Sequence, residues 1–176
     1  MKNIVVLLFL IGIQFKAICQ IDTLSLKTID GITSKMIELI SGDIGEDRNW
    51  EEYRNLFLPT AQKISLVQTK EGKSKVRVMN LEEFVRKVGP FYSRDGFKEY
   101  AIGLTVNEFN GIATVFQSYY CKNLIGTYEK RGINSYQLVF LENRWWIANT
   151  LFTPETEESK IPDKYLFKKY KVTEGK

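Results

Sequence analysis

The run Ser135-Tyr-Gln-Leu-Val-Phe-Leu-Glu-Asn-Arg-Trp-Trp-Ile-Ala-Asn-Thr-Leu-Phe152 constrains the fold more than any other stretch. It reads as two β-rich segments meeting at Glu142-Asn143, a polar pair able to close a two-residue turn. With that turn, residues whose numbers add to 285 stand opposite one another. Tyr136, Leu138 and Phe140 then share a face with Asn149, Ile147 and Trp145. The spacing predicts a cross-strand polar pair, Tyr136 with Asn149, in an otherwise apolar wall. Trp146 and Phe152 are expected on the opposite face.

Upstream, the period changes twice. Ile29, Ile32, Met36, Ile37 and Ile40 recur at helical spacing. Asn49 with Glu52 three residues later marks a second helix start. Its buried side is Trp50, Tyr53, Leu56 and Phe57, and Pro59 is expected to end it. Asn80 with Glu83 repeats the device for a third helix, with Leu81, Phe84, Val85 and Val88 inward and a stop at Gly89-Pro90. Between these helices Lys63–Gln68 and Lys75–Met79 read as short strands around Glu71-Gly72. From Phe97 the period is two, with Tyr100, Ile102, Leu104 and Val106 alternating against Glu99, Ala101, Gly103 and Thr105. Asn110-Gly111 turns the chain into Ile112–Lys122. The order predicts an α+β fold in which about three helices cover one face of a curved antiparallel sheet.

Residues 1–20 read as an export signal. Lys2 gives the positive start, and Ile4–Ile13 is an apolar run shorter than the roughly 20 residues a membrane span needs. Ala17-Ile-Cys19 sets small side chains at alternate positions for cleavage beside Gln20. A lipid anchor on Cys19 ranks second, because Lys16 and Ile18 fit a lipoprotein signal poorly. Removing residues 1–20 from the 176 leaves 156, enough for one domain (21–153) and a charged tail (154–176). It also removes Lys2 and Lys16, so the net charge falls from +4 to +2, too near neutrality to argue for nucleic acid. Only Cys121 remains, which excludes an intrachain disulfide and reads as a small buried hydrophobe. The chain has no histidine, which removes imidazole bases, Ser-His-Asp triads and the usual zinc sites. No metal or cofactor is expected. Lys164, Lys168, Lys169 and Lys171 are offset by Glu155, Glu157 and Glu158, so the tail reads as solvated, with Tyr165-Leu166-Phe167 as its anchor.

Trp50-Glu-Glu-Tyr-Arg-Asn-Leu-Phe-Leu-Pro-Thr-Ala61 leading into the first strand, with Asn143-Arg-Trp-Trp-Ile147 near the end, resembles the nuclear transport factor 2-like superfamily. Its cousins include the SnoaL-like polyketide cyclases, ketosteroid isomerase and scytalone dehydratase. The resemblance covers roughly residues 29–153. It implies a cone: a strongly bent antiparallel sheet wrapped around helices, with a pocket at the open end. It also implies that Trp145 and Ile147 face the helices, and that the outer side of the sheet serves dimer formation. Where relatives carry an acid just after Phe-x-Pro this chain has Thr60, and where many carry a histidine on the last strand it has Asn149. Glu99 and Glu108 lie on opposite faces by their odd spacing, so they cannot form a facing pair, and neither is assigned to the hollow.

The expected site is therefore an aromatic hollow without proton-transfer groups, lined by Tyr53, Tyr92, Tyr136, Trp145 and Asn149. Tyr92 is expected at its rim. The first functional expectation is an exported, non-catalytic domain that binds a small apolar or amphipathic molecule. A second is an isomerase, dehydratase or cyclase of ketosteroid-isomerase type, with an acidic general base and Tyr136 or Tyr92 polarising a carbonyl. A third is an interaction module, with Trp146 and Phe152 forming a homodimer surface on the outer face. No nucleic acid partner and no membrane segment after signal cleavage are expected.

Overall fold

The computed structural model describes residues 24–69 and 72–167. The export signal, Cys19 and the lysines at 168, 169 and 171 lie outside the described residues. After a short turn at Ser25–Lys27 comes α1, Ile29–Ile40. Thr28 caps it, its side chain accepting from the Gly31 backbone N–H at 3.0 Å. The whole predicted stripe from Ile29 to Ile40 is buried, and each such side chain contributes about 1.5–3 kcal/mol.

Helix α2 spans only Trp50–Arg54, because β1 (Phe57–Gln68) begins before Pro59 rather than after it. Leu56 and Phe57 are buried as expected, but on the chain leaving the helix. Pro59 is tolerated because the pairing register of β1 shifts between Phe57 and Gln62, so no ladder donor is needed there. Strand β2 (Ser74–Asn80) runs into α3, Leu81–Asp95. Asn80 and Glu83 close a reciprocal capping box at its start. Gly89-Pro90 does not stop this helix. It continues one and a half turns, and Tyr92 stacks on Phe97 at 4.1 Å while Phe91 meets Tyr128 edge-on at 6.0 Å. That aromatic packing offsets the hydrogen bond Pro90 cannot make.

Strands β3 (Lys98–Phe109), β4 (Ile112–Lys122), β5 (Glu129–Leu141) and β6 (Arg144–Pro154) complete a six-stranded sheet ordered β2-β1-β6-β5-β4-β3. Four of its five pairings are antiparallel and one, β1 with β6, is parallel, so the sheet is mixed. The α+β architecture read from the sequence holds. The inner face packs on the three helices in one core that includes Ile32, Tyr53, Val115, Tyr136, Leu138 and Ile147.

Two bulges decide which side chains face inward. In β3 the register slips between Ala101 and Gly103, making Ile102 the extra residue. Phe97, Glu99 and Ala101 therefore face the helices before it, and Leu104 does so after it. In β6 the slip passes over Ala148, so Tyr136 opposes Thr150 and Asn149 opposes Gln137. The predicted Tyr136–Asn149 pair does not form. Phe152 turns inward instead of outward for the same reason. The chain after β6 lies on the outer face, where Ile161 and Leu166 bury Ile102 beside Tyr120 and Ile133. Among the described residues no helix is long and apolar enough to cross a membrane.

Candidate functional site

A cavity of about 360 Å³ opens between the inner face of the sheet and α1, α2 and α3, within the size range of small-molecule sites. Its walls are aromatic: Tyr53, Phe84, Phe91, Tyr92, Tyr119 and Phe152. Among them stand four polar groups that periodicity did not assign to the hollow: Lys63 and Ser65 from β1, Glu99 from β3 and Asn134 from β5. The expectation of a hollow without an acid is thus corrected. Glu99 enters it because the Ile102 bulge divides β3 into two stretches of opposite phase.

Asn134 donates from Nδ2 to Glu99 Oε1 at 3.0 Å, which fixes the carboxylate across the intervening strand β4. Glu99 keeps some accessible surface, as a wall of an open cavity must, yet protein surrounds it closely. That desolvation pushes its carboxyl up to about 7, against the hydrogen bond from Asn134 and the charge of Lys63, which both pull it down. Lys63 is 3% exposed. Desolvation brings its amine down to about 8, opposed by the Glu99 charge. Its Nζ lies 4.9 Å from the ring centre of Phe84, 5.4 Å from Phe57, 5.8 Å from Phe152 and 5.9 Å from Tyr53. Burial, with Glu99 next in effect, raises Tyr53, Tyr92 and Tyr136 well above the ordinary phenol range.

Of the residues expected in the site, Tyr53 and Tyr92 line the cavity. Tyr92 is buried in its wall rather than standing at the rim. Among the described residues the Tyr53 hydroxyl is buried and has no hydrogen-bond partner, an unmet donor on a residue that lines the cavity. Tyr136 sits deeper, its hydroxyl donating to Gln117 Oε1 at 3.1 Å. Trp145 is buried on the inner face against Phe140, ring centres 5.3 Å apart, outside the cavity lining. Asn149 is on the outer side, accepting from the Gln62 N–H at 3.1 Å and donating to Gln137 at 3.3 Å. Cys121 lines the cavity with its thiol pushed up to about 12, mainly by burial, so it is not a thiolate at neutral pH.

A second depression of about 720 Å³, lined by Arg54, Pro59, Glu82 and Trp146, is open to solvent. Its charged walls are engaged with one another, Arg54 Nη2 donating to Glu82 at 2.8 Å. Trp146 stacks beneath the Arg144 guanidinium at 3.6 Å. Among the described residues no group of histidine, cysteine or acidic side chains could hold a metal ion.

No known family profile matches the sequence, and neither does any curated protein. Solved structures do match. The fold is similar to that of a proposed dehydratase from the nuclear transport factor 2-like family of Streptomyces avermitilis, at TM-score 0.56 and 10% identity, covering 76% of this chain and 97% of that one. It is similar to a proposed scytalone dehydratase from Novosphingobium aromaticivorans, at 0.55 and 8%, covering 76% and 85%. A protein of unknown function with a cystatin-like fold from Nostoc punctiforme aligns at 0.53 and 9%, covering 72% and 87%. The fold is the nuclear transport factor 2-like cone. At these identities the likeness is one of fold. What this cone can do chemically rests on its own Glu99, Lys63 and Tyr53.

Proposed function

We propose that the protein is an acid–base enzyme acting on a small carbonyl compound held in the cone, as an isomerase or dehydratase. The observation that carries this reading is the Glu99 carboxylate in the cavity, held by Asn134 and titrating near 7. A general base is most useful when its pKa lies near the working pH, because it is then both largely available and strong enough to take a proton. Glu99 takes a proton from carbon next to the carbonyl. The negative charge that develops on the carbonyl oxygen meets the unpaired Tyr53 hydroxyl, a donor already fixed in place. The aromatic walls bind the apolar part of the substrate and exclude water. Two solved proteins of this fold are proposed dehydratases, which is compatible with this chemistry.

The test is exchange of the α-protons of small ketones and β-hydroxy ketones in D2O, followed by proton NMR. Exchange should rise with a limb near pH 7, vanish in Glu99→Gln and fall about 10²–10³-fold in Tyr53→Phe. If no compound exchanges faster with the wild type than with Glu99→Gln, the catalytic reading fails. The non-catalytic alternative, a binder of small apolar molecules, would then be favoured if those compounds raise the melting temperature without reacting.

Export belongs to the same proposal and rests on residues 1–20. Expression of the full chain with the mature product recovered outside the cytoplasm, lacking those residues, is the expected result.

A further inference from the structure

Lys63 is the least expected group in the cavity. A buried ammonium normally closes an ion pair or donates hydrogen bonds, because desolvating it otherwise is strongly unfavourable. The partly buried Lys35 does so, reaching Glu38 at 2.8 Å and Glu52 at 3.2 Å. Nothing comparable holds Lys63: among the described residues its Nζ has four aromatic rings around it and no hydrogen-bond acceptor. The rings recover part of the desolvation cost of the charged form. What remains shifts the balance toward the neutral amine, the form with a free electron pair, and the Lys63 side chain lines a ligand-sized cavity.

Two more cations line the same cavity nearer to solvent: Arg77 on β2 and Lys87 on α3, both exposed. Among the described residues neither closes an ion pair. An occupant with its carbonyl deep and a carboxylate towards the mouth would satisfy both regions.

We propose that Lys63 is a nucleophile that captures the carbonyl group of an oxo acid as an imine. This deepens the carbonyl-substrate reading above and rests on it for the class of occupant. The neutral Nζ attacks the carbonyl carbon, and the π pair of C=O moves to oxygen, which takes a proton. Nζ then loses a proton from the resulting carbinolamine, and the hydroxyl leaves as water with a proton from the acid of the cavity, Glu99. One C–O double bond is exchanged for one C–N double bond and one water, with no oxidation or reduction. The protonated imine is a stronger electron sink than the parent ketone, so it would ease proton removal from the adjacent carbon.

Other groups can bias the amine's titration. Glu99 faces it from β3, with Tyr119 and Cys121 from β4 and Tyr128 beyond β4. Tyr53 approaches from α2, Tyr92 and Lys87 from α3, and Arg77 from β2. Only Glu99 among them opposes the desolvation that lowers Lys63. An amine near 8 carries on the order of a hundredfold more free base at pH 8 than an ordinary lysine.

The experiment incubates the purified full chain with pyruvate and cyanoborohydride, which reduces protonated imines to stable amines, and maps adducts by peptide mass spectrometry. One adduct at Lys63 is expected, its yield climbing through about pH 8 and at least tenfold above the mean of the other lysines. Lys63→Arg should take none there while keeping the wild-type circular dichroism spectrum. Acetone should be captured less well than pyruvate, and Arg77→Ala with Lys87→Ala should narrow that difference to the one free lysine shows in solution. Adducts spread evenly over the lysines, or none at Lys63, overturn the proposal. Equal capture of acetone and pyruvate overturns its anionic part. Glu99→Gln should still form the adduct, only more slowly, so imine capture and the general-base reading fail separately.

Discussion

Lys63 on β1 and Glu99 on β3 line one cavity and shift each other's protonation by charge alone, with no hydrogen bond joining them. Strands β6, β5 and β4 lie between theirs in the sheet. In a flat sheet four strand spacings would hold them about 19 Å apart. The curl of the sheet brings them together, and the helices packed inside it remove the water that would screen them.

Glu99 makes stability depend on pH with a definite sign. An ordinary glutamate carboxyl titrates at 4.5, whereas that of Glu99 titrates at about 7 in the fold, so between those values the folded chain holds a proton that the unfolded chain has released. Protonation therefore favours folding, and this contribution is lost as pH rises from 4.5 to 7. Glu99→Gln, which can still accept from Asn134, should match the wild type in stability below pH 4.5. Above pH 7 it should exceed it by at most about 3 kcal/mol. Urea titrations of both proteins across this range check the prediction.

Tyr53→Phe separates folding from function. A bonded buried hydroxyl would cost about 1 kcal/mol to remove, but among the described residues this one has no partner to lose. The melting temperature should stay the same or rise, while turnover of any carbonyl substrate drops. A clear loss of stability would mean that the hydroxyl is bonded in solution.

Gly103→Ala should release the tail from the outer face. A Cβ at Gly103 would lie 1.7 Å from the Tyr165 carbonyl oxygen. The tail is held there by Phe167 N–H donating to Ile102 O and Ser118 Oγ donating to Tyr165 O, each at 2.8 Å. Detaching Ile161 and Leu166 should cost roughly 3 kcal/mol. Rapid tryptic cleavage after Lys160 and Lys164, with the rest of the domain resistant, is the expected readout.

The β5–β6 turn can be improved. Glu142 and Asn143 both adopt positive φ, 53° and 63°, a conformation that suits Asn-Gly and disfavours glutamate. Glu142→Asn with Asn143→Gly should stabilise the protein by about 1 kcal/mol, read as a higher urea midpoint with an unchanged slope.

Elements with strong local causes are legible in the chain. The α1 stripe, the Asn80–Glu83 capping box and the turns at Asn110-Gly111 and Glu142-Asn143 depend on neighbours a few residues apart, and each forms as its sequence dictates. The end of α3 is not legible, because Pro90 is a local signal overridden by aromatic packing at Tyr92 and Phe97. The chemical groups escape periodicity for a different reason. Glu99 and Lys63 sit on strands whose alternation puts apolar Ile102 and Leu66 outside and charge within. A glycine inside a strand, Gly103, is the one available warning of a bulge.

By itself, the sequence determined that the helices and strands exist, where the tight turns fall and the chain order that makes an α+β layer fold, but not every element's end, because hydrophobic period and turn chemistry act over short distances. Only the tertiary structure decided where β3 and β6 change phase, and so which side chains beyond each bulge look inward. A bulge of one residue reverses that choice and periodicity does not register it. The same curvature gathered Glu99, Lys63, Asn134 and Tyr53 from distant parts of the chain into one desolvated cavity, where their ordinary side chains acquire unusual protonation.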